Sequence, residues 1–203
     1  MTVADISAQQ VRELRERTGA GMMDCKQALQ DADGDMTRAE ELLRERGLKD
    51  VQKRAGRSAA QGLVDSYIHF NNTVGVLVEV NCETDFVAAT QEFKDLTRDI
   101  ALHVASAAPR WLTREEIPSV VLEAERRVYE AQAREQDKPD NVIERMVEGK
   151  LEAFYRDNVL LDQKFVKDDS KSIRTIVDEV SAKVGEKVAV RRFVRYKLGE
   201  ELD

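Results

Sequence analysis

Two runs with period-two alternation, Leu63–Phe70 and Val74–Val80, flank the dipeptide Asn71-Asn72. Alternation of this kind buries one face of a strand, and asparagine tolerates the left-handed backbone that a tight turn demands. The spacing predicts a β-hairpin. A third alternating run, Val188–Lys197, carries Val188, Val190, Arg192, Val194 and Tyr196 at the far end of the chain. It has to return to the hairpin to find a partner. A three-stranded antiparallel sheet packed with helices defines an α+β fold. Within the hairpin, His69 alternates with Ile68 and Phe70 and is expected on the surface, opposite that apolar pair.

The N-terminal third reads as short helices. The first, about Ala8–Thr18, has Val11 and Leu14 on one side and stops at Gly19-Ala20-Gly21. Glycines there end a helix and permit a tight turn. The second, about Asp24–Ala32, places Cys25, Ala28 and Leu29 on one stripe, with Asp24 at the positive end of the helix dipole. Gly34 breaks the chain, Asp35 is a candidate cap, and Met36, Ala39, Leu42 and Leu43 line a third helix ended by Gly47. Lys49–Ala60 reads as a linker helix. A three-helix bundle this small has little core, which suits a docking module.

Between Leu112 and Leu160 the composition shifts to long, charged helix. Glu115–Glu135 offers Val121, Ala124, Val128 and Ala131 at heptad-like positions, and Asn141–Asn158 offers Val142, Met146, Gly149 and Ala153. Lys138-Pro139-Asp140 turns the chain between them, since proline fits the first turn of a new helix. The expectation is a projecting antiparallel coiled-coil hairpin. Ser170–Val184, with Ile173, Ile176, Val177 and Val180, reads as a last helix. The expected domains are 1–54 (bundle and linker), 55–111 (first part of the α+β core), 112–160 (helical hairpin) and 161–203 (C-terminal helix and strand of the core).

Thr84-Asp85-Phe86-Val87 sits where the strand run ends and a helix-like run toward Ala107 begins. Phe86 there is either a core anchor or a wedge presented to a partner. Thr84 or Asp85 alone would read as a helix cap, because short polar side chains satisfy free backbone N–H groups. Met22 and Met23 could be core filler, yet adjacent residues on a helix cannot both face inward. His103 reads as structural, and Cys25 and Cys82 as small buried hydrophobes.

Lys and Arg number 32 against 39 Asp and Glu, a formal charge of −7. An acidic chain without a basic stripe is poorly placed to neutralise phosphates, so direct nucleic-acid binding is not expected. No apolar run approaches the roughly 18–20 residues of a membrane span, and Met1–Asp5 lacks the pattern of a signal peptide. Two cysteines and two histidines are scattered, with no metal-ligand spacing. Neither a phosphate-binding glycine loop nor a nucleophile elbow is present. The residues point to a cytoplasmic, non-enzymatic protein with no cofactor and no metal of its own.

The stretch Val80–Ala88 resembles the signature of the elongation factor Ts family. So does Val11–Lys26, and the likeness continues through Ile100–Ala105, Lys138-Pro139, Met146–Lys150, Gln163 with Phe165-Val166, and Arg191–Phe193. It covers essentially the whole chain; Lys164 departs from the proline common at its place. The resemblance implies a guanine-nucleotide exchange factor of translation elongation, acting on elongation factor Tu in its GDP-bound and nucleotide-free forms. Residues 1–54 would be a ubiquitin-associated-like bundle that docks on the partner's nucleotide domain. Thr84, Asp85, Phe86 and Val87 would displace Mg2+ from the partner. Leu14, Arg15, Thr18, Gly19, Met22, Met23 and His69 would contact it. The single strand-hairpin unit marks the short form of the family, for which a homodimer is expected. The alternative is a non-catalytic adaptor that binds a protein partner through its bundle, which leaves the Thr84–Val87 corner without a purpose.

Overall fold

The computed structural model describes residues 6–136 and 139–201. The Met1–Asp5 stretch and Lys138 of the predicted turn lie outside them. In chain order the elements are α1 (Ala8–Thr18), α2 (Met22–Asp31), α3 (Met36–Arg54), β1 (Gln61–Ile68), β2 (Val74–Cys82), α4 (Asp85–Ala89), α5 (Gln91–Ala107), α6 (Ser119–Arg134), α7 (Asp140–Asn158), β3 (Lys164–Phe165), β4 (Asp168–Ser172), α8 (Ile173–Val184) and β5 (Ala189–Lys197). The mixture of helices with a three-stranded sheet is α+β. By contacts the chain forms two units, one of residues up to Gly62 with Asn81–Phe93 and Val177–Ala189, the other of Leu63–Val80, Lys94–Ile176 and Val190–Asp203.

In the first unit, α1, α2 and α3 enclose one core of Val11, Leu14, Cys25, Ala28, Leu29 and Ala39. Ser7 and Gln10 form a capping box that starts α1, and Gly19, at φ 70°, ends it in the left-handed conformation. Asp35 caps α3 by accepting from the Arg38 N–H at 2.9 Å. Gly47 does not end that helix. It lies inside α3, where a Cβ would stand 3.0 Å from the Ala182 Cβ of α8. The glycine serves close helix approach, and the expected linker helix is the continuation of α3 to Arg54.

In the second unit the sheet order is β1-β2-β5. Asn72 takes φ 56°, as the hairpin turn requires. The His69 N–H bonds the Val74 carbonyl at 2.9 Å, and the Leu198 N–H bonds the Thr73 carbonyl at 2.8 Å, so both neighbours run antiparallel to β2. Val76, Val78 and Val80 of β2 are buried. The opposite face also carries apolar residues, beside an Arg192–Glu79 ion pair at 2.7 Å. Val64, Ile68, Leu77, Val194 and Tyr196 are all exposed, and a Cβ on Gly75 would meet Ile68 at 3.0 Å. Ile68 and Phe70 are thus the solvent-facing residues and His69 is half-buried, the reverse of the sequence expectation. Alternation cannot tell which face is covered when both carry apolar residues.

Two further departures concern the second unit. The stretch expected to open the last helix is instead β4, paired with β3 through Lys164↔Ser172 and Phe165↔Asp168. Helices α6 and α7 do pack together, but the buried seam is Ala133, Ile143, Val147 and Leu151, with Tyr129, Met146 and Tyr155 beside it. Ala124, Val128 and Ala131 face solvent. The Ile143–Val147–Leu151 stripe recurs every four residues and buries larger side chains than the heptad-like positions would. A 3-10 turn at Arg114–Glu116 precedes α6, and Arg114 there grips Glu152 at 2.8 Å and Asp162 at 2.5 Å.

Candidate functional site

Strand β2 ends at Cys82, and the chain turns into the single helical turn α4. Thr84 is the cap, extended at φ −127°, and its Oγ1 accepts the Val87 N–H at 3.3 Å. At the other end Thr90 closes α4, donating its hydroxyl to the Val87 carbonyl at 2.7 Å, and opens α5 by accepting the Phe93 N–H at 3.3 Å. Five residues held at both ends leave little choice of orientation. Residues advance 100° per step around a helix, so Val87 and Ala88 occupy the inner side and Asp85 and Phe86 fall outside. Phe86 is 82% exposed.

Behind the corner lies a reciprocal pair of carboxylate contacts. One Glu186 oxygen accepts the N–H of Glu83 at 3.1 Å and that of Thr84 at 3.0 Å, and the other accepts the Thr84 hydroxyl at 2.7 Å. In return Glu83 accepts the Lys187 N–H at 2.6 Å. That bond, with Arg57 at 3.3 Å, holds the Glu83 carboxyl below its ordinary pKa. The Lys187 ammonium donates to the carbonyls of Ala55 at 2.7 Å and Arg57 at 2.8 Å. The Cys82 thiol, pushed up chiefly by burial and also by Glu186, stays protonated and donates to the Thr84 carbonyl at 3.1 Å. No sequence spacing announces this network, since its halves lie about a hundred residues apart.

In the bundle, Arg15, Gly19, Met22 and Met23 are exposed and Thr18 is partly exposed. Thr18 donates its hydroxyl to the Leu14 carbonyl at 2.7 Å and accepts the Ala20 N–H at 3.3 Å, which shapes the α1–α2 turn. Met23 is 75% exposed, so both methionines of the first turn of α2 face outward. Leu14 is different: it is fully buried in the bundle core. Its i, i+3 spacing from Val11 on an amphipathic helix points it inward, out of reach of a partner at the surface. His69, in the other unit, bonds the Tyr67 hydroxyl through Nδ1 at 3.0 Å and packs against Phe70 with centroids 4.4 Å apart and rings tilted by 53°.

Among the described residues no group of three His, Cys, Asp or Glu is arranged to hold a metal ion, and no helix is long and apolar enough to cross a membrane. The exposed chemistry of the corner is one carboxylate, Asp85, beside one aromatic ring, Phe86. The family model described as Elongation factor TS matches residues 4–200. Relatives named Elongation factor Ts include one from Thermoanaerobacter sp. (strain X514), 53% identical over 98% of this chain and 97% of its own length. Another, from Fervidobacterium nodosum, is 54% identical over 97% of this chain and 100% of its own. A third, from Desulforamulus reducens, is 53% identical over 99% and 93%. Over nearly its whole length the sequence is thus that of a translation elongation factor. The chain belongs to the elongation factor Ts family.

Proposed function

We propose that this chain is a guanine-nucleotide exchange factor for elongation factor Tu, working in the cytoplasm without a cofactor and making no covalent bond. The single observation that carries the reading is Phe86, held outward beside Asp85 on a turn fastened at both ends. In this reading residues 1–54 form the docking bundle, with Arg15, Gly19, Met22 and Met23 at its surface and Thr18 and Leu14 holding α1 beneath them. Residues 55–111 and 161–203 form the core that carries the corner and His69. Residues 112–160 form a coiled-coil arm that adds peripheral contact.

Exchange follows from linkage. A factor that weakens GDP binding must itself be bound less well when GDP is present. Phe86 inserts between apolar side chains of the partner and shifts a loop or helix. Asp85 perturbs the groups around the metal, with Thr84 and Val87 fixing both from behind. Once Mg2+ is lost, the phosphate charges are unbalanced and GDP leaves faster. Burying one phenylalanine contributes roughly 1.5–3 kcal/mol. Moving a two-state pocket from mostly closed to mostly open takes about 5.5 kcal/mol. The remainder comes from docking by the bundle and the sheet.

The apolar outer face of the sheet supports a homodimer. Exposed apolar patches beyond roughly a few hundred Å2 are uncommon on soluble monomers, and a second copy of the same face is a self-complementary cover for one.

Release of fluorescent GDP from elongation factor Tu separates this reading from the adaptor. The intact chain accelerates release; an adaptor leaves the rate unchanged. Asp85→Ala should impair release more at saturating Mg2+ than in chelator, where no metal remains to displace. Equal impairment in both would assign Asp85 to shaping the corner instead.

A further inference from the structure

We propose that Glu186 is a positioning residue for exchange: its carboxylate fixes the Glu83–Thr84 backbone so that Asp85 and Phe86 are presented in one orientation. The inference rests on the exchange reading above and deepens it. Three donors converge on that side chain, the N–H groups of Glu83 and Thr84 and the Thr84 hydroxyl, at 3.1, 3.0 and 2.7 Å. Bonds to an ionised acceptor are the stronger kind. The same Thr84 hydroxyl oxygen accepts from Val87, so the carboxylate reaches α4 through its own cap.

Glu186 is itself held. Helix α8 ends at Val184, and Gly185 takes φ 74° with its N–H on the Ser181 carbonyl at 3.1 Å. The buried Ser181 hydroxyl donates to the Glu186 carbonyl at 2.6 Å. A left-handed glycine followed by a pinned carbonyl fixes the backbone from which the Glu186 side chain reaches the corner. The return contact, Glu83 on the Lys187 N–H, closes the pair from the other side. Lys187 then ties both to the end of α3, through the carbonyls of Ala55 and Arg57. The Thr84 cap closes α4 on itself, and Glu186 fixes that cap to the rest of the fold; displacement of a reacting group by about 1 Å can cost on the order of a hundredfold in rate.

The test compares Glu186→Ala, Glu186→Gln, Phe86→Ala and the Glu186→Ala/Phe86→Ala double variant. Each is assayed for GDP release from elongation factor Tu across a range of factor concentrations. Glu186→Ala should lower the maximal release rate by about tenfold while leaving the half-saturating concentration nearly unchanged, because the bundle still docks. Glutamine keeps an acceptor oxygen for the two N–H groups and should restore most of the lost rate. The double variant should be no slower than Phe86→Ala. Amide exchange supplies a readout apart from activity: the Glu83 and Thr84 N–H groups lose protection in Glu186→Ala, while those of α1 and α2 keep theirs. If Phe86→Ala slows release and Glu186→Ala does not, the positioning role is wrong and the exchange reading stands. If the intact chain does not accelerate release, the exchange reading fails; if it does and Phe86→Ala has no effect, the corner has no role and the positioning inference is overturned. A raised half-saturating concentration with an unchanged maximum would assign Glu186 to docking and overturn the inference.

Discussion

At the scale of single residues, the corner separates two roles that usually coincide. Val87 and Ala88 anchor α4, whereas Phe86 contributes almost nothing to its own fold because its ring is in solvent. Phe86→Ala is therefore expected to change unfolding free energy by less than about 0.5 kcal/mol, as is usual for surface substitutions. Urea unfolding checks this; a larger loss would mean the ring has packing partners. The sequence singles out this stretch but leaves Phe86 between core and surface. Which side of so short a helix meets the core decides between them, and the burial of Val87 and Ala88 that settles it is a tertiary fact. Glu186 is invisible in the sequence for the same reason, since its partners lie across the fold.

At the scale of elements, legibility tracks the strength of local signals. The hairpin, α1 and β5 lie close to their predicted bounds because alternation, caps and turn residues agree. Sequence reasoning ends α3 too early, at Gly47, because a mid-helix glycine costs about 1 kcal/mol relative to alanine. Approach of Ala182 offsets that cost and cannot be read from the sequence around Gly47. The β3–β4 hairpin escapes notice because Asp168–Ser172 is polar throughout and is held by main-chain pairing. His103 of α5 fastens the chain on either side of β3: its Nδ1 accepts the Val166 N–H at 3.3 Å, and its Nε2 donates to the Gln163 side chain at 2.9 Å. Acceptance from Val166 needs neutral imidazole, whereas the Nε2–H is kept on protonation; burial outweighs the Gln163 bond and lowers the pKa below the ordinary 6.5. The unfolded chain then takes up a proton before the folded one, so this stabilisation is complete above 6.5 and is lost as pH falls below it. Urea unfolding at about pH 7.5 and about pH 5.5 should show lower stability at the acid value, and His103→Asn should flatten that difference. An undiminished slope in the variant would place the titration elsewhere.

At the scale of the molecule, the proposed exchange draws on a small helical bundle, a fixed corner and a sheet with exposed apolar residues on its outer face. Burying that face against a second copy requires that a charge placed within it be disruptive. Val194→Glu should convert a dimer into a monomer by light scattering at micromolar concentration, because an unpaired buried carboxylate is strongly unfavourable. A wild-type monomer at that concentration would remove the need for a second copy. The exposed sheet face becomes visible only once both sides of each strand are assigned. The most direct measurement is single-turnover release of fluorescent GDP from Mg2+-loaded elongation factor Tu at saturating concentrations of the wild-type chain and of Phe86→Ala. Wild type should speed release strongly, and the variant should fall short by about tenfold or more, the loss of roughly one buried aromatic contact. Equal rates from the two proteins would contradict the claim that the exposed ring at this corner opens the partner's nucleotide site.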